Sequence, residues 1–195
     1  MPIPGKRTSW ISSVTLTAAA IAMTIVIALT MLGAQIAQAQ TFSVIHAFTG
    51  GSDGKIPEAG LTLDAGGNLY GTASAGGTGS SGTVYKLTHK GTGWTINPLY
   101  SFAGGNDGAM PTARVILGPN GTLYGTTIYG GAYNAGTVFK VTRTGAVKVV
   151  YSFGSSGAND GVEPFASLIN LGGTLYGTTA GGGANSWGTV FAVTP

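Results

Sequence analysis

The 195-residue sequence contains no cysteine, which removes disulfides, thiolate zinc sites and cysteine nucleophiles from consideration. Charge is scarce as well, at 8% of residues. The formal net charge of +3 is partly due to Lys6 and Arg7 near the N-terminus. The other cations, Lys55, Lys86, Lys90, Lys140, Lys148, Arg114 and Arg143, face six acids. They are scattered along the chain, whereas a nucleic-acid partner needs cations gathered on one face to neutralise several phosphates. Nucleic acid is therefore excluded as a partner. Histidine is limited to His46 and His89, and no G-x-S-x-G, H-E-x-x-H or His-Asp-Ser arrangement is present to support hydrolysis. Beyond residue 40 no window carries a 3.6-residue apolar period, so almost no helix is expected there.

What the chain does have is glycine, 35 residues of it, together with 43% hydrophobic residues. Glycine does not fall at every third position and apolar residues are plentiful, so neither a collagen nor a solvated disordered polymer fits. Self-comparison is more informative, because a period near 50 residues marks repeat architectures. Leu69-Tyr70-Gly71-Thr72 recurs as Leu123-Tyr124-Gly125-Thr126 and Leu175-Tyr176-Gly177-Thr178, and Gly82-Thr83-Val84 recurs as Gly136-Thr137-Val138 and Gly188-Thr189-Val190. Phe48, Phe102 and Phe153 each precede an Asp-Gly pair (Asp53, Asp107 and Asp160) and then Pro57, Pro111 and Pro164. Four markers in one order, three times over, define three units at about 41–91, 92–145 and 146–195.

Within a unit, four apolar runs rich in Val, Ile, Leu, Thr, Phe and Tyr are separated by Asn-Gly, Asp-Gly or Gly-Gly signals, the pattern of antiparallel hairpins. Each unit reads as a four-stranded meander, the size of a propeller blade. A lone sheet of that size leaves one apolar face in water, so the units must pack on one another. The expected fold is all-β, a propeller-like array of three four-stranded antiparallel blades. Ordinary propellers close with four to eight blades, so three leave an open arc or part of an oligomeric ring. Exposed edges and blade faces then invite self-association.

Residues 1–39 differ in composition. A cationic start precedes an uncharged, mostly apolar stretch over 11–32, and Ala37-Gln38-Ala39 then supplies small residues at the positions signal peptidase reads. The segment reads as a hydrophobic leader helix, cleaved after Ala39. At ~1.5 Å per residue the apolar stretch also matches a ~30 Å hydrocarbon core, so a retained membrane anchor is the alternative. Either way the repeat domain is expected outside the cytoplasm, as a secreted, periplasmic or cell-surface module.

Leu99-Tyr100-Ser101-Phe102, Asp107-Gly108, Leu123-Tyr124-Gly125-Thr126-Thr127 and Gly136-Thr137-Val138-Phe139-Lys140 together resemble the GloVer-type tandem repeats of bacterial choice-of-anchor proteins, and the match extends over residues 43–193. The resemblance implies an exported, β-propeller-like protein. It brings no established activity or catalytic residue to transfer, and its members usually carry more than three repeats.

Candidate chemistry is sparse. Asp53, Asp107 and Asp160 are the carboxylates that recur once per unit, which suits either Ca²⁺ or polar-ligand contacts on one rim or turn aspartates that accept backbone N–H bonds. The Gly-rich loops lead into strands and lack a Lys-Ser/Thr pair, so they are not phosphate loops. Between their shared glycines the loops differ, and there Tyr133 with Asn134, and Asn185 with Trp187, place aromatic faces beside amides, a combination suited to sugar rings. Packing against neighbouring loops is the competing reading of these four residues. Tyr70, Tyr124 and Tyr176 read as scaffold. No metal or other cofactor is called for. The expected function is noncatalytic binding or surface interaction, with a glycan or cell-surface component as partner. The alternatives are a polysaccharide-active enzyme using Glu58, Glu163 or the repeat aspartates, and a structural repeat fragment without ligand.

Overall fold

In the computed structural model, Met23, residues 40–155 and residues 157–195 are described. The reading of 1–39 as a cleaved leader or anchor therefore lies outside the described residues, Met23 apart. Among those described, no helix is long and apolar enough to cross a membrane. Residues 44–195 form a unit of their own, and the rest of this section concerns that unit.

Its first sheet is β1 (Thr62–Leu63), β2 (Leu69–Ala73), β3 (Thr83–Lys90) and β4 (Gly93–Ser101), antiparallel and in chain order. A second has the same order, β5 (Ile116–Leu117), β6 (Leu123–Thr127), β7 (Thr137–Val141) and β8 (Val147–Ser152). Then follow β9 (Gly161–Val162), β10 (Ile169–Leu171), β11 (Thr174–Thr179), β12 (Gly181–Gly182) and β13 (Thr189–Val193). Of these, β10, β11 and β13 make a three-stranded sheet, and β9 pairs with β12 in a short ladder. The chain is thus all-β over residues 40–195, interrupted by 3₁₀ turns at Pro119–Gly121 and Gly157–Asn159.

Sheets and sequence units are out of phase. The first apolar run of the second unit, β4, pairs with β3 of the first, and β8 pairs with β7. Local geometry explains this. Lys90 opposes Gly93, so Gly91 (φ +59°) and Thr92 alone close the hairpin, and a two-residue loop with glycine at its first, positive-φ position is among the tightest strand connections. The run after β4 is instead separated from it by the long Asp-Gly and proline segment. Each four-stranded sheet therefore takes its last strand from the following unit, and the third sheet has three strands.

One irregularity recurs in both complete sheets. The ladder shifts between Val84 and Tyr85, opposite Tyr100 and Pro98, and again between Val138 and Phe139, opposite Tyr151 and Val149. One extra residue, Leu99 or Val150, makes a β-bulge on the outer strand. Pro98 is accommodated beside the first bulge, where a ladder donor is dispensable.

The core lies between successive sheets. Tyr70, Val84 and Phe102 pack with Val115, Leu123, Phe139 and Val141. Tyr124, Val138 and Phe153 pack with Leu168 and Leu175, flanked by Phe191 and Val193. An edge-to-face aromatic step crosses each junction, Phe102 on Phe139 at 5.0 Å and Phe153 on Phe191 at 5.0 Å. Phe48 repeats the step on Tyr85 at 5.1 Å, covering part of the outer face of the first sheet.

Candidate functional site

At one end of each sheet the Asp-Gly turn and the Gly-rich loop are joined by backbone hydrogen bonds. The Gly77 and Gly131 amides donate to the Gly51 and Gly105 carbonyls (2.9 and 3.0 Å), and the Gly183 amide donates to the Asp160 carbonyl (2.8 Å). Lys55 and Ala75 exchange backbone bonds, as do Ala109 and Tyr129, and β9 with β12 extends the same pairing in the third unit. The two groups of residues singled out from sequence, the repeat aspartates and the variable loops, therefore share one rim.

On that rim each aspartate carboxylate binds its own turn. Asp107 accepts the Tyr100 hydroxyl (2.9 Å) and the Ala103 amide (2.8 Å). Asp160 accepts the Tyr151 hydroxyl, the Ser155 amide (both 2.9 Å) and the Ser155 hydroxyl (3.3 Å) on one oxygen, and the Gly161 amide (2.9 Å) on the other. Asp53 accepts the Thr49 amide (2.9 Å) and hydroxyl (2.6 Å), with His46 Nε2 at 3.1 Å. His46 thus occupies the place that Tyr100 and Tyr151 hold in the other units, an equivalence that counting back from Phe48, Phe102 and Phe153 makes visible. Burial alone would raise the Asp53 carboxyl, but the Thr49 side-chain and backbone donors and then His46 outweigh it and hold it below its ordinary range. Burial, followed by the bond to Asp107, pushes the Tyr100 hydroxyl up to about 12. Among the described residues no group of three or more His, Asp or Glu could hold a metal ion.

The variable loops are pinned at the same points. Ser80, Asn134 and Ser186 occupy matching positions, all with left-handed backbones (φ +62°, +54° and +59°), and their amides close turns onto Gly77, Gly131 and Gly183. The Asn134 side-chain oxygen accepts the Gly130 amide at 3.0 Å, stapling its own loop. Tyr133 is 59% exposed and Trp187 is 90% exposed. Counted from the loop glycines, Tyr133 matches Asn185, whereas Trp187 matches Ala135. The two aromatics therefore sit at different places in loops of different sheets. Asn185 is exposed. Glu58 is exposed and Glu163 half-buried, on opposite sides of their respective prolines.

A further feature of this rim was not read from sequence. Between the loops of the first and second units lies a cleft of about 290 Å³, lined by Ile56, Ser74, Ser80, Ser81, Met110 and Tyr129, among others. It carries no charged side chain. Its wall includes two residues in left-handed conformation immediately before prolines, Ile56 (φ +62°) and Met110 (φ +62°). Left-handed backbone is unfavourable for a non-glycine residue and rare for a β-branched one. The interlocked turns hold both in place, with the Ser74 amide bonded to the Ile56 carbonyl and the Ile128 amide to the Met110 carbonyl. The signal available in sequence was the spacing D-G-x-x-P, which puts Ile56, Met110 and Glu163 at the equivalent position before each proline. The left-handed conformation itself appears only once the turn and loop are docked.

The cleft combines serine hydroxyls, aliphatic surface and the partly exposed Tyr129 ring in an uncharged lining that offers both polar and apolar contact. A comparison with curated proteins finds no match. The three-unit pattern, the recurring sheets and the shared turn geometry agree with a family model that matches over residues 33–195: the chain belongs to the Gloeobacter/Verrucomicrobia repeat family.

Proposed function

We propose that the repeat domain is an exported, noncatalytic binding module, propeller-like in arrangement, that presents its turn-and-loop rim to neutral carbohydrate at the cell surface or in the medium. The observation carrying this reading is the uncharged cleft between the first two units, where Tyr129 stands beside Ser74, Ser80 and Ser81. Tyr133 and Trp187 extend the aromatic surface along the same rim. The repeat aspartates hold their own turns, which supports a scaffolding role for them. Glycan-array screening followed by calorimetry on the purified protein tests the proposal. A neutral glycan should bind, Tyr129→Ala and Tyr133→Ala should each weaken it at least tenfold, and no new reducing ends should appear on prolonged incubation. Release of reducing ends would instead support the polysaccharide-active enzyme. If no glycan binds or shifts the melting temperature, the structural reading stands.

A further inference from the structure

Both internal junctions are built from one set of backbone and hydroxyl contacts. The Gly82 and Gly136 carbonyls accept the amides of Phe102 (2.9 Å) and Phe153 (3.0 Å), which follow the last strand of each complete sheet. The neighbouring Ser81 and Ala135 carbonyls accept the amides of Met110 (2.9 Å) and Glu163 (3.0 Å) in the next unit. The Thr72 and Thr126 hydroxyls donate to the carbonyls of Ala113 (3.1 Å) and Ala166 (3.3 Å), also in the next unit. At the C-terminal end the same groups recur as the Gly188 carbonyl, the Trp187 carbonyl and the Thr178 hydroxyl. None of them has a partner among the described residues. The N-terminal end carries the complementary set, the amides of Phe48 and Ile56 and the carbonyl of Ala59, also without partners among the described residues.

Side chains show the same complementarity. Val84 and Val138 are fully buried beneath the last strand of their sheets and the following unit, while their equivalent, Val190, is 82% exposed. The sequence that makes those last strands ends in Leu99-Tyr100-Ser101-Phe102 and Val150-Tyr151-Ser152-Phe153. At the N-terminus its counterpart is Ile45-His46-Ala47-Phe48, which lies in no strand. Val44, next to it, is 67% exposed, so the two open ends do not satisfy each other within one copy.

We infer that a second copy of this chain covers the open end of the third sheet, with residues 44–48 of one copy adding as the missing fourth strand along β13 of another. The register follows the second sheet. Where Tyr151 opposes Val138 and Val149 opposes Phe139, His46 of the incoming copy opposes Val190 and Val44 opposes Phe191, with Ile45 in the bulge. Phe48 and Ile56 then donate to the Gly188 and Trp187 carbonyls, and Thr178 donates to Ala59. An unpaired strand edge is a template for such addition, and the contact is head-to-tail, so each copy uses both ends.

The absence of native cysteine makes the register directly testable. Purified Ala47→Cys protein mixed with Thr189→Cys protein should form a disulfide-linked pair under mild oxidation, while Ala47→Cys mixed with Ala192→Cys should give at least tenfold less. Sedimentation of the unmodified protein at micromolar concentration should show two or more copies. Val190→Lys, at a position exposed in the single copy, should weaken association at least tenfold with an unchanged circular dichroism spectrum. A strictly monomeric protein, an assembly indifferent to Val190→Lys, or equal cross-linking by both cysteine pairs would each overturn the proposal.

Discussion

Asp64 organises the first hairpin through its own side chain. One oxygen accepts the amides of Gly66 (2.8 Å) and Asn68 (2.9 Å), and the other accepts the Asn68 side chain (2.9 Å) and the Tyr70 hydroxyl (3.0 Å). Burial by itself would raise this carboxyl, but the Asn68 side-chain and backbone donors, with Tyr70 and Gly66, outweigh it and bring it from 3.8 to about 2. A carboxyl depressed in the fold contributes stability that is present above its unfolded value and lost as pH falls through its folded one. Asp64→Asn should therefore lower the melting temperature at pH 7, and the gap from the native chain should close between pH 4 and pH 2, read by thermal melts across that window. Gly136 is a residue-scale constraint of another kind. Its φ is +99°, and a Cβ there would lie 2.5 Å from the Thr127 carbonyl oxygen and 2.6 Å from Pro164 Cδ. Gly136→Ala should destabilise by about 3 kcal/mol, since backbone strain and a clash with fixed backbone add, as measured by urea unfolding.

Among the strands, burial rather than composition separates equivalent positions. Val138 in β7 and Val190 in β13 follow the same Gly-Thr, yet the first is sealed between sheets and the second is exposed. Val138→Ala should cost about 2 kcal/mol through lost transfer energy and a residual cavity. Val190→Ala should fall within about 0.5 kcal/mol when unfolding is measured at a dilution that keeps copies apart. Equal costs would mean that β13 is covered within one copy. The threonines beside these valines pair across their hairpins, Thr127 with Thr137 and Thr179 with Thr189, both at 2.8 Å between hydroxyl oxygens. These four threonines are thus held by strand pairing, while in the first unit Thr83 donates instead to the Asp53 carbonyl.

For the whole array, protection should fall along the chain. The first and second sheets have four strands each and share a buried junction, whereas the third has three strands and an open edge. Amide exchange reports local opening, so the amides of β7 should exchange more slowly than the outward-facing amides of β13 by at least a factor of ten in dilute protein. Raising the concentration should slow exchange in β13 and residues 44–48 while leaving β7 unchanged, because association adds hydrogen bonds only at the ends.

Much of this was legible in the residues alone. Threefold recurrence of Leu-Tyr-Gly-Thr and Gly-Thr-Val, with Asp-Gly and Gly-Gly between apolar runs, determined an all-β repeat, because period-two strands and positive-φ turns are local properties of sequence. The placing of Asp53, Asp107 and Asp160 in turns followed from the same local chemistry. Tertiary structure alone decided which runs share a sheet, since Gly91 and Thr92 close a hairpin across the unit boundary while the longer segment after Phe102 does not. It also decided that Ile56 and Met110 adopt left-handed backbone beside Tyr129, and that Val190 lies open where Val84 and Val138 are sealed. Those features depend on what stands next to a unit in space, and identical repeats carry no local mark of which one has a neighbour.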